Sequence, residues 1–300
     1  MSKNTNSTYH RAILPVKNAV NKGRVIPLGG IPRLFFLCGA NGHDGNISYR
    51  RSQIRDFLLQ NVNNSQVIIA EKFFDEYRQN SKEKNSLDFE HVLTEISEKV
   101  IIIMESPSAI CELGAFAHHK LRHKLIVIND SSFKEAPSFI NTGPLEAVRE
   151  CSIENRVLWY KMFHGDVDGR DGVAAVFNDL NKLVMNPLSS AKKMSFAELD
   201  PSEGITDIKV FFLHDLIFMM REVKYKELIY SVKLIFGEGK SYDSIKKMLT
   251  ILISLDFISY GDRFSKIKSL RREAFFKYSD NDETARKGFF LNNLKQKMRA

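Results

Sequence analysis

Nowhere does the chain carry about 18 consecutive apolar residues, so it offers no candidate for a membrane-spanning helix. Its first ten residues, "MSKNTNSTYH", are polar where a secretory leader would run from basic to apolar, and a cytoplasmic protein without membrane contact is expected. Cysteine is scarce. Cys38, Cys111 and Cys151 are odd in number and lack CxxC spacing, which argues against a disulfide framework and a structural zinc site. Each reads as a buried thiol, and Cys38 and Cys111 fall beside predicted strand ends where a thiol can line a pocket. Gly239-Lys240-Ser241 has Leu234 where the Walker pattern GxxxxGK(S/T) needs its first glycine, and no GxGxxG turn occurs, so a P-loop nucleoside-triphosphatase and an ordinary dinucleotide-binding dehydrogenase lack support. "AHHKLRH" sets His119 and His123 four apart without a third ligand. "GDVDGRDG" (Asp166, Asp168, Asp171) has Phe177 where a calcium loop needs Glu, so no metal is expected.

What is present is an ordinary globular composition, 43% hydrophobic over 300 residues, enough for one large or two modest domains. The net charge of +8 is uneven: from Pro201 onward 19 Lys/Arg face 13 Asp/Glu, leaving only +2 on the first 200 residues. A basic C-terminal part beside a nearly neutral N-terminal part fits either nucleic-acid contact or a solvated basic face.

Residues 1–31 read as a loosely held arm. The first strand is "RLFFLCG" (33–39), followed by the loop "ANGHDGN" and a helix over 48–60 with Ile54, Phe57 and Leu58 on one face. Next come a strand over 66–70, a helix over 87–99, the wholly apolar strand Val100–Ile103, a helix over 111–122 and the strand "KLIVIND" (124–130). This alternation predicts an α/β fold with a mainly parallel sheet and right-handed crossovers. "RVLWYKMF" adds a possible strand and 173–184 a helix, closing a domain over 32–190; the Pro- and Ser-rich stretch 187–204 is the linker.

Beyond the linker, helices over 207–221, 225–236 and 242–255 precede a hairpin with Gly261 and Asp262 at its turn. That order predicts a winged helix-turn-helix domain over 205–300 with a basic tail, the pairs Phe275–Phe276 and Phe289–Phe290 being its docking anchors. Its nucleic-acid contacts are assigned to Lys246, Lys247, Arg263, Lys266 and Lys268. The third helix lacks Arg, Asn and Gln, the usual base readers, so backbone contact or a protein partner suits it better than sequence reading.

Ligands of open parallel sheets bind beyond the carboxyl ends of the strands. Three loops meet that description: "CGANGHDGN", "MESPSAICELGA" and "NDSSFKEAPSFINTGP". In the second, Glu112 is placed at a helix start near Gly114 and Ala115. From spacing alone two roles stand open: a carboxylate that attacks or stabilises the anomeric carbon of a ribosyl group, or one that favours the helix N-terminus electrostatically.

The runs "FFLCG", "SLDFEHVLTEI", "VIIIMESPSAICELGAFA" and "SFINTGP" resemble the nucleoside 2-deoxyribosyltransferase-like family, particularly its branch of toxic effectors of bacterial retrons. The resemblance is strong over about residues 34–144 and extends by architecture afterward. It implies that Glu112 is the catalytic carboxylate and that Glu90, with Asp88 as the alternative, orients the sugar hydroxyls or assists proton transfer. It further implies a substrate loop of Cys38, Gly39 and Ala40, a wrap of Glu105, Ser106 and Ser108 beside Gly114, and a pocket completed across subunits of an oligomer by Asn141. Ser106 stands where the transferases carry an acid, which favours hydrolysis over transfer.

The resemblance thus implies an antiphage N-glycosidase toxin acting on a nucleotide, NAD first, without a cofactor of its own. Its partners would be the retron reverse transcriptase and multicopy single-stranded DNA. Two rivals remain: a nucleotide sensor that binds without cleaving and regulates through nucleic acid, and a plain DNA-binding regulator.

Overall fold

Strands that are apolar at both alternating positions need cover on both faces, and the fold supplies it. The computed structural model describes residues 13–28, 31–71, 85–185, 192–260 and 266–278. They fall into two units: one runs from Pro32 to residue 185, and the other joins the segment before Pro32 to the residues after 191.

Helix α1 (residues 13–21) and strand β1 (Ile26–Pro27) belong to the discontinuous unit. The α/β unit follows as β2 (Arg33–Cys38), α2 (Tyr49–Asn61), β3 (Ser65–Ile68), α3 (Ser86–Ile96), β4 (Lys99–Ile103), α4 (Pro107–Phe116) and β5 (Leu125–Asp130). It closes with the short helices α5 (Phe139–Thr142) and α6 (Pro144–Glu150), then β6 (Val157–Tyr160) and α7 (Phe177–Val184). The sheet has the order β3-β2-β4-β5-β6 with every pair parallel. On one face Phe35, Leu37, Ile101, Ile103, Ile126 and Ile128 pack with Ile54 and Leu58 of α2 and Leu180 and Val184 of α7. The alternate positions serve the other face, where the Phe36 ring lies 6.2 Å from that of Phe116 in α4.

From β2 the chain steps to one side for β3 and returns to the other side for β4. The topological switch point, where a ligand crevice forms, therefore lies at the carboxyl ends of β2 and β4.

The second unit continues with α8 (Phe196–Leu199), α9 (Asp207–Met220), β7 (Glu222–Val223), α10 (Tyr225–Phe236), α11 (Ser244–Ser254), β8 (Ile258–Tyr260), β9 (Ile267–Ser269) and β10 (Phe276–Lys277). Strands β7, β9 and β8 form an antiparallel sheet, and β1 pairs antiparallel with β10. Helix α9 is apolar around most of its circumference and correspondingly buried. Its Asp215, 0% exposed, accepts hydrogen bonds from the Phe275 and Phe276 amides and the Tyr278 hydroxyl.

Two expectations are corrected here. The segment read as a loose arm is built into the second unit, with Ile13, Val16, Ala19 and Val20 buried at helical spacing. Phe275 and Phe276 are core residues of the same unit rather than docking anchors, because Asp215 holds their amides inside. Gly261, Asp262, Arg263, Phe289 and Phe290 lie outside the described residues.

Candidate active site

Helix α4 starts four residues earlier than its sequence spacing indicated and ends at Phe116. The Ser106 hydroxyl accepts from the Ala109 amide as N-cap, and Pro107 takes the first helical position, where a missing N–H costs nothing. Glu112 therefore sits in the second turn, not at the helix start. The electrostatic role at a helix N-terminus accordingly loses its basis.

Ala109, Leu113 and Phe116 anchor α4 to the sheet and leave Glu112 half-buried beside the end of β2. Burial lifts its carboxyl to about 7, helped by the charge of Glu71 and opposed by the charge of Arg51 and a hydrogen bond with Cys38. Its Oε2 is buried and has no hydrogen-bond partner among the described residues. Glu90 lies on α3 beside the buried stripe Phe89, Leu93 and Ile96. Burial raises its carboxyl to about 7 as well, reinforced by the charges of Glu112 and Glu71. Two carboxyl groups poised near neutrality and coupled to each other suit proton transfer and nucleophilic attack at physiological pH. The Cys38 thiol, 1% exposed, is pushed well above its usual range by burial and by both carboxylates, so it is a hydrogen-bond donor here rather than a nucleophile.

Other predicted site residues have different work. Asp88 is exposed in the first turn of α3, where an acid suits the helix N-terminus. Glu105 is bound within the protein: one oxygen accepts from the Ala40 amide (3.0 Å) and Ser48 Oγ (2.6 Å), the other from Arg50 Nη1 (3.0 Å). It joins β4 to the loop after β2 and has no oxygen left to wrap a substrate. Gly39 is required there, since a Cβ would stand 2.8 Å from Glu105 Oε1 and 2.9 Å from the Arg51 side chain. Ser108 is exposed, and Gly114 lines a separate shallow cleft of about 270 Å³ with His118, Phe139 and Pro144. Asn141 donates from Nδ2 to the Phe133 and Ala136 carbonyls at 2.8 and 2.7 Å, holding its own loop.

Two pairs escaped sequence reading. Arg50, 3% exposed, bonds Glu105 and Asp171, and Arg51, 1% exposed, forms a two-pronged ion pair with Glu71 at 2.8 and 3.0 Å. The available signal was their place: two cations in the first turn of a helix oppose its dipole and need carboxylates to compensate.

A sequence profile of the family described as "STM3845 retron effector protein" matches residues 46–260. The chain is also 35% identical over 308 residues to the Escherichia coli protein named "Retron Ec73 putative ribosyltransferase/DNA-binding protein", covering 99% of this chain and 97% of that one. This chain belongs to the STM3845 retron effector family. A second Escherichia coli relative, the Retron Ec86 protein with the same description, is 36% identical over 116 residues, 38% of this chain and 37% of its own.

As a retron effector the chain carries a second surface of interest. On α11 Lys246 is exposed and Lys247 half-buried, while Lys266 and Lys268 are exposed on and beside β9. Lys266 pairs with Glu222 at 3.2 Å. Among the described residues no helix is long and apolar enough to cross a membrane. Near the α2 loop, the exposed His43 ring meets Asp166 at 3.2 Å and its amide meets Asp168 at 2.9 Å, so the "GDVDGRDG" acids brace that loop, with Asp171 on Arg50.

Proposed function

We propose that this retron effector is an N-glycosidase with a nucleoside deoxyribosyltransferase-like catalytic unit, and that it hydrolyses a nucleotide. The observation that carries the reading is the pair Glu112 and Glu90, half-buried at the sheet's switch point, both lifted to about 7, with Glu112 Oε2 unpartnered among the described residues. The relatives' printed description as ribosyltransferases agrees with it.

In this mechanism Glu112, as carboxylate, attacks or stabilises C1′ while the C1′–N bond breaks and the base leaves with the bonding electrons. Water then adds to C1′, displacing the Glu112 oxygen where it has bonded there and returning that carboxylate with its electron pair, and passes its proton to a carboxylate. Glu90 fixes the sugar hydroxyls, and the Cys38 thiol steadies Glu112 through its hydrogen bond. NAD is the first substrate to try, because its cationic nicotinamide leaves without prior protonation. Ser106, occupied as a helix cap, offers no second acid for handling an acceptor base, which favours hydrolysis over transfer.

The order α9, β7, α10, α11, β8, β9 with a three-stranded antiparallel sheet supports a winged-helix reading of the second unit. Its lysines would meet the backbone of the retron's multicopy single-stranded DNA, held with the reverse transcriptase, in an assembly that restrains a toxic activity until phage attack. The test is chromatography of base released from NAD and a nucleotide panel, with and without those partners. Release abolished by Glu112→Gln supports the glycosidase; release undiminished in that variant overturns it. Tight nucleotide binding without release would favour a sensor.

A further inference from the structure

The Arg51 guanidinium is built in more firmly than a surface ion pair requires. Nη1 donates to Asn41 Oδ1 (2.9 Å), Glu71 Oε1 (2.8 Å) and the Ala40 carbonyl (3.3 Å), while Nη2 donates to the Leu37 carbonyl (2.9 Å) and Glu71 Oε2 (3.0 Å). These partners belong to the end of β2, the loop after it and the helical turn that starts two residues after β3. The side chain passes directly beneath Gly39, the residue next to Cys38. Glu71 is the partly open member, with 41% of its side chain exposed against 1% for Arg51. Yet the buried Nε keeps no acceptor among the described residues, as Glu112 Oε2 keeps no donor. Burying an unpaired polar atom is costly, and two are left so here, one on Arg51 and one on Glu112, where a purely structural arginine would have its donors paired.

We propose that Arg51 and Glu71 are positioning residues: the guanidinium, locked to the end of β2, presents a fixed positive charge to Glu112, and Glu71 both holds that charge in place and tempers it. The inference rests on Glu112 being the reacting carboxylate. Among the described residues, the charged and titratable groups that face Glu112 are Cys38 from β2, Arg51 from α2, Glu71 after β3 and Glu90 from α3. Arg51 favours the ionised form of Glu112 and Glu71 disfavours it. Glu71 itself is buried enough to resist ionisation, but hydrogen bonds and the charge of Arg51 hold it below its usual value, so it is an anion throughout the neutral range.

The two halves of one ion pair therefore act on Glu112 in opposite senses. The test uses the full-length protein, its Glu112→Gln and Glu90→Gln variants to assign the carboxyl carbons by NMR, and the single variants Arg51→Gln and Glu71→Gln. Glu112 is expected to titrate about half a unit to one unit lower in Glu71→Gln and higher by a similar amount in Arg51→Gln. The acid limb of base release should move with it. Shifts in the same direction, or none, overturn the proposal. Where Arg51→Gln does not fold, Glu71→Gln alone decides: a lowered midpoint supports it and an unmoved one overturns it. Opposite NMR shifts without base release from the native chain would sink the glycosidase reading and leave the positioning pair standing. Base release with unmoved midpoints would do the reverse.

Discussion

Two carboxylates, one in each unit, face a similar problem and resolve it differently. Asp215 is 0% exposed and surrounded by donors: the Phe275 and Phe276 amides, the Tyr278 hydroxyl and His214, whose other ring nitrogen meets Ser269 at 2.9 Å. Glu112 is only half-buried, is faced by two other carboxylates and has one oxygen without a partner among the described residues. A carboxylate whose lone pairs are all engaged is held in one state and serves as structure. One left short of donors retains both protonation and nucleophilicity as options, which is what a reagent requires.

The sharpest way to break this contrast is to remove both groups. Glu112→Gln should lower base release by about 10²–10⁴-fold while leaving the protein at least as stable to heat, since burial raises this carboxyl too. Asp215→Ala should do the opposite, costing about 3 kcal/mol of stability in urea unfolding by orphaning its buried donors. A third test is pH. With Glu112 titrating at about 7 and required as an anion, base release should fall about tenfold per unit below that point and level off above it. A rate flat from pH 5 to 8 would exclude a reacting anion that titrates near 7.

Smaller effects sharpen the comparison. Glu90 ionises at about 7 in the folded chain and lower when unfolded, so its contribution to stability is fully present below the unfolded value and is lost as pH rises through about 7. Glu90→Gln should therefore stabilise the protein at pH 8 by about 1 kcal/mol, with no gain at pH 4, read from denaturant midpoints. Smallest is the joint change of Lys246 and Lys247 to Ala, which should reduce the salt slope of single-stranded DNA binding by about 0.7 for each phosphate the variant no longer neutralises. A slope unaffected by the pair would move the interface elsewhere.

The strands and their parallel order were legible because an apolar run that feeds a helix has few other solutions. Motif resemblance singled out Glu112 and Glu90, which the fold brings close enough for their charges to interact, although Glu112 was set at the start of its helix rather than in the second turn. The Ser106-Pro107 start, a cap followed by a residue suited to the first helical position, was the overlooked signal. Arg51 and Glu71 were hidden for a deeper reason: their meeting depends on β2 and β3 lying side by side, and periodicity along the chain carries no information about that. The Asp215 clamp joins residues some 60 positions apart and was equally invisible. Ile13, Val16, Ala19 and Val20 did have helical spacing, masked by the polar residues before them.

The pairing of β1 with β10 also sets a timetable. Ile26 meets Lys277, so one of the first segments to be synthesised waits for about 250 further residues before its partner strand exists. At about 5–20 residues per second that delay is tens of seconds, during which the whole sequence of the α/β unit has already emerged. The unit that carries Glu112 is thus translated before the second unit can close, so its parallel strands can pair while β1 still waits for β10.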